Sequence, residues 1–493
     1  MARGIDVHFW HVARLALLLP LLFYLTYEPQ YARRPVSWAQ MMLFFAVLLA
    51  LPLVGRALAN RIARIDSETV LHRASVRLNR LLGMARMAAL LWTSAGLYVF
   101  GYGDWVSHVV SRFAQPSLAG AVLATLPAYG TWLLLYWAQY PAERTLREQA
   151  ILIHLEAAFP VRAPPTLVEY LVYQLRTGPG VILLPVLAVL LLRDVTHLGL
   201  KLAGVAPNVY VESALYTVSA LAVFVLSPVL VTRVLQTRSL PPGELRDRLS
   251  RLAGRANVKF RDVLLWDTGN AACNALVAGI VHRFRYVMLS DLLIESLPDE
   301  AIEAVFAHEL GHIVHRHIAW YGVFLFSSLV VLGWVAVPIE WMARRAPFAI
   351  YPDVITGVVS LGAAMLAFGA LSRLFERQAD VFAARAMQSH PEAAGEPAGV
   401  DQGGRTPSQP LAVPVGVRGA SAFSNALRRV AYVNNMPLEA WTFTHGSIAG
   451  RIRSVESLAA DPTLTPRFDV SMRRTRAVVV VIMLAAAATL ALH

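Results

Sequence analysis

His308-Glu309-Leu310-Gly311-His312 sets two imidazoles four residues apart with a carboxylate between them. Positions four apart on a helix share one face. Both rings can therefore reach one zinc ion, at about 2.0–2.1 Å from each nitrogen. Glu309 follows the first histidine and can address a water at the metal rather than the metal itself, the role of a general base. Two histidines do not complete a protein zinc site, and the sequence offers three sources for a third ligand. His315 lies on the same face of the same helix, which is poor geometry. The long metalloprotease pattern needs glycine at 315 and histidine at 318, where this chain has His315 and Ile318. The second source is Glu376, in the stretch Phe375-Glu-Arg-Gln-Ala-Asp380, and the third is an unidentified distant residue.

The elements that must position these residues favour Glu376. Ser296, Pro298, Asp299 and Glu300 read as the start of the zinc helix, with Ser296 as its cap and acids at the positive end of the dipole. Two apolar runs, Ile318–Trp341 and Val354–Leu371, then separate the motif from Glu376. An up-and-down pair of helices returns Glu376 to the side of the membrane it left. Asp380 lies one helical turn further on and can accept the Nδ1–H of a ligating histidine.

Composition sets the wider frame. The chain has 493 residues, 56% of them hydrophobic and only 15% charged, against about 25% charged in soluble globular proteins. Nine runs approach the roughly 20 residues a helix needs to cross a bilayer. They are Val12–Tyr27, Trp38–Val54, Met87–Tyr102, Leu118–Trp137, Gly180–Leu192, Leu215–Val231, the two named above, and Ala477–Leu492. Gly180–Leu192 is the shortest, contains Pro185, and can be read as a re-entrant or interfacial segment. The first run follows Arg3 but lacks a small-residue cleavage site, so it reads as an uncleaved anchor. The connection at Gly55–Arg86 holds Arg56, Arg61, Arg64, Arg73, Arg77, Arg80 and Arg86, whereas Gly103–Ser117 holds only Arg112. The alternation puts the N-terminus, Thr232–His317 and Ser372–Arg476 on the cytoplasmic side, with Arg344–Arg345 as the exception. The formal charge of +12 is that of arginines at span ends, where they meet anionic lipid. No basic–aromatic pattern indicates nucleic acid. Cys273 stands alone, so no intrachain disulfide forms.

Five regions follow: a transmembrane region over 1–236 with about six spans, a cytoplasmic catalytic segment over 237–317, a transmembrane hairpin over 318–371, a cytoplasmic segment over 372–476, and a last span over 477–492. Glu244–Ala256 has helical periodicity. The runs at 258–268 and 283–291 are rich in Val, Phe and Tyr and read as strands. Residues 389–420, rich in Pro, Gly and Ala without periodicity, read as a mobile loop.

The zinc motif, two spans and Glu-Arg-Gln-Ala-Asp together resemble the integral-membrane zinc peptidases that include the CAAX prenyl proteases and the HtpX heat-shock protease. Cys273–Gly279 and Thr444–Ile452 are similar to two further segments of that family, in family order, so the resemblance covers about Val258–Ile452. It implies a mainly α, polytopic membrane protein with a small cytoplasmic α/β, zincin-like metallopeptidase domain. It also implies one Zn²⁺ per chain held by His308, His312 and Glu376, with Glu309 as catalytic base and Asp380 behind the ligands. Asn274 and His445 match residues that hold the peptide and polarise its scissile carbonyl without holding the metal. Arg451 matches a structural or active-site arginine. The expected function is zinc-dependent endopeptidase action on membrane-associated or membrane-protein substrates at the cytoplasmic face of the cell (inner) membrane, in quality control or processing. The expected partners are peptide or membrane-protein substrates and the lipid bilayer, with no nucleic acid. A site-2-type protease takes its third ligand from an Asp-Gly pair, and none occurs here. The non-enzyme alternative is a membrane scaffold or transporter with a structural metal, for which inverted repeats and polar residues in mid-span are lacking.

Overall fold

Long apolar runs become helices, and the short β-branched runs between 237 and 290 become a sheet. In a computed structural model the chain is described over residues 17–492, apart from 26, 28–36, 112–116, 157–162, 206–207, 270–271, 346–351, 389–413 and 435. The membrane region comprises α1 (Leu19–Leu25), α2 (Trp38–Ile62), α3 (Glu68–Val99), α4 (Tyr102–Val110), α5 (Ser117–Glu156), α6 (Leu167–Leu175), α7 (Val181–Leu202) and α8 (Val209–Val234). Among the described residues, four stretches are long and apolar enough to cross a membrane: Trp38–Ile62, Leu118–Gln149, Leu167–Leu202 and Tyr210–Val234. The chain is a multi-pass membrane protein.

Each of those four stretches contains an expected span. The short reading of Gly180–Leu192 is corrected. One π-helical turn, Arg176–Gly180, carries Pro179 and joins α6 to α7 as one stretch, with Pro185 kept inside α7. A wide turn tolerates a residue without an N–H better than an α turn does. The expected span Met87–Tyr102 falls mostly in α3, outside those four stretches. Arginines occupy the same helix, and Arg86 turns inward, donating to Gln139 at 3.0 Å and lying over the Tyr136 ring. Of the expected span Val12–Tyr27, residues 17–25 and 27 are described, and Leu19–Leu25 form the short α1.

The sheet runs β1 (Thr237–Ser239), β2 (Asp262–Trp266), β4 (Tyr286–Ser290), β3 (Ala275–Ala278), with β2 and β4 parallel and the outer pairs antiparallel. β4 is buried along its whole length, while β3 is an edge. Gly279 ends β3 at φ +107°, where a Cβ would meet the Phe284 carbonyl at 2.4 Å; only glycine makes this turn without strain. α9 (Glu244–Arg255) covers the sheet side of the core, and α10 (Asp291–Ser296) leads into α11 (Asp299–Val314), the zinc helix. Ser296 does not cap α11 as expected, because it ends α10 instead. Leu297 is extended, as a residue before proline tends to be, so α11 starts after Pro298 with Asp299 and Glu300 in its first turn.

Two long helices follow, α12 (His317–Arg345) and α13 (Pro352–Gln388), each a continuous helix through an expected span, although neither is among the four stretches above. The final third of α13 enters the core with Phe375, Ala379, Phe382 and Ala383 buried. The expected loop over 389–420 lies outside the described residues up to 413. Its end is corrected: α14 (Val417–Val433) already includes Gly419 and Ala420, small residues buried in the helix contact with α13. A hairpin of β5 (Trp441–Thr442) and β6 (Gly446–Ser447), then α15 (Ile448–Ala460) and α16 (Leu464–Leu492), complete the chain. Arg385 on α13 pairs with Asp469 on α16 at 2.8 Å, tying the last helix to the core.

Candidate metal centre and active site

The zinc helix and α13 meet at Gly311. A Cβ there would lie 2.9 Å from the Ala379 Cα and 3.2 Å from its carbonyl oxygen, so the two backbones approach as only a glycine permits. That approach brings Glu376 to the two histidines. His308 Nε2 is 3.4 Å from one oxygen of Glu376 and His312 Nε2 is 3.5 Å from the other. The two Nε2 atoms are 3.2 Å apart. All three ligand atoms lie within 4.8 Å of one another. His315 is not part of this set and packs instead against Phe382 and His317.

The donor set suits zinc. It consists of two imidazole nitrogens and one carboxylate, with Glu376 only 4% exposed, and it offers three protein ligands as an open catalytic site requires. Its electrostatics suit a cation. Burial opposes charge on His308, yet the adjacent Asp380 and Glu376 outweigh it and raise its pKa to about 9. Burial alone dominates at His312 and drives its pKa well below the usual value. Glu376 is also penalised by burial, but His445 and His308 outweigh that and hold it well below the usual carboxylate range. Glu309 differs: burial pushes its pKa up, with His308 opposing and Glu376 reinforcing the rise. The Val277 backbone of the edge strand opposes that rise as a smaller cause.

Each ligand histidine is held from behind. Asp380, 1% exposed, accepts from His308 Nδ1 at 2.9 Å. Arg451 on α15 grips Asp380 with both arms, Nε at 2.9 Å and Nη2 at 2.5 Å, and its Nη2 lies 3.7 Å from Glu376. Asp380 and Arg451 therefore join the site as a charged brace. His312 has a different partner. Its Nδ1 is 2.9 Å from Nδ1 of His317, whose Nε2 is 3.1 Å from Oε1 of Gln378. Burial lowers the His317 pKa to about 4, against the opposing effect of the Gln378 bond.

His445 sits in the β5–β6 turn beside Gly446, which adopts φ +74°. The hairpin places His445 Nδ1 2.9 Å from Glu376, with the side chain 37% exposed. The structure thus brings His445 onto a ligand, a contact that its expected substrate role did not include. Asn274 stands exposed at the head of β3; its Oδ1 accepts from the Ala275 N–H, and its own N–H is donated to Ser290. One residue earlier, Asn434 at the end of α14 binds the Cys273 backbone on both sides, its Oδ1 accepting at 3.0 Å and its Nδ2 donating at 2.8 Å. Asn434 therefore fixes the strand that carries Asn274 and Val277. Sequence reasoning missed Asn434, His317, Gln378 and Arg476. No helical spacing ties any of the four to the motif.

Residues 239–459 match the family model described as peptidase family M48. Over 189 residues the chain is 29% identical to the protease HtpX homolog of Aeropyrum pernix, which covers 36% of this chain and 54% of that protein. Over 190 residues it is 27% identical to the CAAX prenyl protease 1 homolog of Arabidopsis thaliana, covering 36% of this chain and 45% of that protein. The chain spans about half the length of the curated relatives it matches. The crystal structure of S. mikatae Ste24p aligns with 86% of this chain and 100% of its own, at 16% identity and a TM-score of 0.44.

Proposed function

From the peptidase family M48 domain that residues 239–459 carry, we propose that this chain is a membrane-embedded zinc endopeptidase. It cuts peptide bonds of membrane-associated or membrane-protein substrates at the cytoplasmic face, in protein quality control or processing. The observation that carries this reading is the convergence of His308, His312 and Glu376 within 4.8 Å, with Glu309 next to His308 on the same helix and electrostatically coupled to His308 and Glu376. A structural metal site in a scaffold needs no such second carboxylate.

A zinc ion on those three ligands supplies a Lewis acid that polarises a peptide carbonyl and acidifies water. Glu309 takes the proton of the attacking water on its carboxylate and returns it to the leaving amide nitrogen. Its raised pKa suits a group that must both accept and release a proton near neutrality. β3 is the open edge of the sheet, and it takes an extended substrate by strand addition, reading backbone more than side chains. Asn274 at its head and His445 in the hairpin opposite donate to the substrate backbone and to the carbonyl oxygen. Arg451 holds Asp380, and Asp380 holds His308 as the tautomer that presents Nε2. The cytoplasmic placement rests on the arginine-rich connections, and the division at 236, 317, 371 and 476 rests on the apolar runs.

The test is cleavage of a membrane-anchored peptide by the purified chain in nanodiscs. Chelation should abolish cleavage and zinc should restore it. Cleavage that survives chelation to a metal content near zero would refute the reading.

A further inference from the structure

We infer that His317, Gln378 and Arg476 form a relay that fixes His312 as the tautomer with a bare Nε2, so that the last helix of the chain sets the metal competence of the zinc helix. The inference rests on the zinc reading of His308, His312 and Glu376. It concerns positioning residues, none of which touches the metal or the substrate.

The relay exists because the helix breaks. In a straight α-helix a residue five positions on is rotated about 140° away, so His317 would face away from His312. Arg316 adopts φ +55°, ending α11 in a left-handed residue, and α12 restarts at His317 in a new direction. The turn delivers His317 Nδ1 to 2.9 Å from His312 Nδ1. The His317 ring is fully buried and stacks on Phe375 at 4.4 Å with an interplanar angle of 2°, so its orientation is set by packing.

Hydrogen positions then follow by elimination, starting from the arginine. Arg476 Nη2 lies 2.8 Å from the same Gln378 atom that faces His317. A guanidinium only donates, so that atom is the amide oxygen. It accepts from His317 as well, which puts a hydrogen on His317 Nε2. In the neutral ring Nδ1 is then bare and accepts from His312 Nδ1–H. His312 Nε2 is left as a lone pair facing Glu376 and His308. A flipped Gln378 would set its NH₂ against the guanidinium and reverse every assignment. Arg476 is held in place by a second bond, to the His315 carbonyl at 3.0 Å, where α11 ends. The two ligand histidines are thus oriented by different means: His308 by the Asp380–Arg451 ion pair, and His312 by a neutral chain that ends on an arginine of α16.

The bland alternative is that these buried polar groups merely satisfy one another where three helices meet. Isosteres separate the two. Zinc affinity is measured by chelator competition in a Glu309→Gln background, together with the Co²⁺ absorption spectrum and thermal unfolding without metal. His317→Phe keeps the stacking and removes the acceptor; it should bind zinc about 10–100-fold more weakly, the usual cost of losing an outer partner, and alter the Co²⁺ spectrum. His317→Asn returns a carbonyl acceptor near the Nδ1 position and should restore affinity towards the parent. Should His317→Phe fail to fold, Gln378→Leu and Gln378→Glu carry the same contrast: leucine weakens zinc, and the carboxylate, which accepts from both neighbours, preserves it. Parental affinity in His317→Phe or Gln378→Leu overturns the relay, as does failure of both isosteres to rescue. A parent protein that binds no zinc overturns the reading beneath it, which is a distinguishable result.

Discussion

Glu309 and Glu376 are both carboxylates of one buried site, yet their surroundings push them in opposite directions. Glu376 faces His445, His308 and His312 and is held as an anion. Glu309 is dominated by burial and is pushed up. In the proposed mechanism these opposite pushes would give one site a metal ligand and a proton carrier from two residues of the same chemistry. The same scale tests the two candidate substrate donors. Removing one donor to a developing oxyanion typically costs on the order of 10²–10³ in rate. Asn274→Ala should lose turnover on that order while keeping its zinc, because no contact joins Asn274 to a ligand among the described residues. His445→Ala should lose turnover and some zinc, because His445 lies 2.9 Å from Glu376. Turnover and metal content are read on the same samples; undiminished turnover in Asn274→Ala would reduce it to a residue that caps β3.

At the scale of elements, the site depends on how closely two helices approach. Gly311 is a spacer between His308 and His312 in the motif, but in the fold it is the contact point of α11 with α13. Gly311→Ala adds one methyl group against the backbone of Ala379, with Phe382 Cβ 3.2 Å away on the same side. Overpacking of this kind costs about 1–3 kcal/mol. The two helices must part, and Glu376 moves away from the two imidazoles. The expected outcome is a lower unfolding temperature together with weaker zinc binding, measured by scanning calorimetry and chelator competition. A variant with parental zinc affinity would show that the ligand set does not depend on this approach.

At the scale of the whole molecule, the site lies where α13 returns to the catalytic segment. The proposed arginine asymmetry would put that junction in the cytoplasm. Reporter tags at Arg64, Gly254 and Gly403 should read cytoplasmic, and tags near Gly103 and Pro347 should read outside; a tag at Gly254 found outside inverts the scheme. The convergence of the three candidate ligands was legible in the sequence. The spacing of the motif puts His308 and His312 on one face, and the helices between return Glu376 to them, because both are matters of period and length. Asp380 was legible for the same reason, being one turn from Glu376. His317, Gln378, Arg476 and Asn434 were not legible. They act through a broken helix at Arg316 and through contacts 61 to 161 residues apart in the chain, and no local pattern encodes either. The expected span Gly180–Leu192 is only part of the continuous stretch Leu167–Leu202: Pro185 is kept inside the helix, and one π turn at Arg176–Gly180 extends it backwards.

The central claim is that Glu376 holds the metal while Glu309 moves the proton. It is tested most directly by measuring zinc content and peptide cleavage on the same preparations of the parent, Glu309→Gln and Glu376→Gln. The amide of Glu309→Gln fills the same space but cannot take a proton, so this variant should keep about one zinc per chain, as the three-ligand site requires, and lose cleavage. Glu376→Gln should lose most of its zinc. A Glu309→Gln protein that cleaves at the parental rate, or a Glu376→Gln protein that retains the parental zinc affinity, would contradict the account.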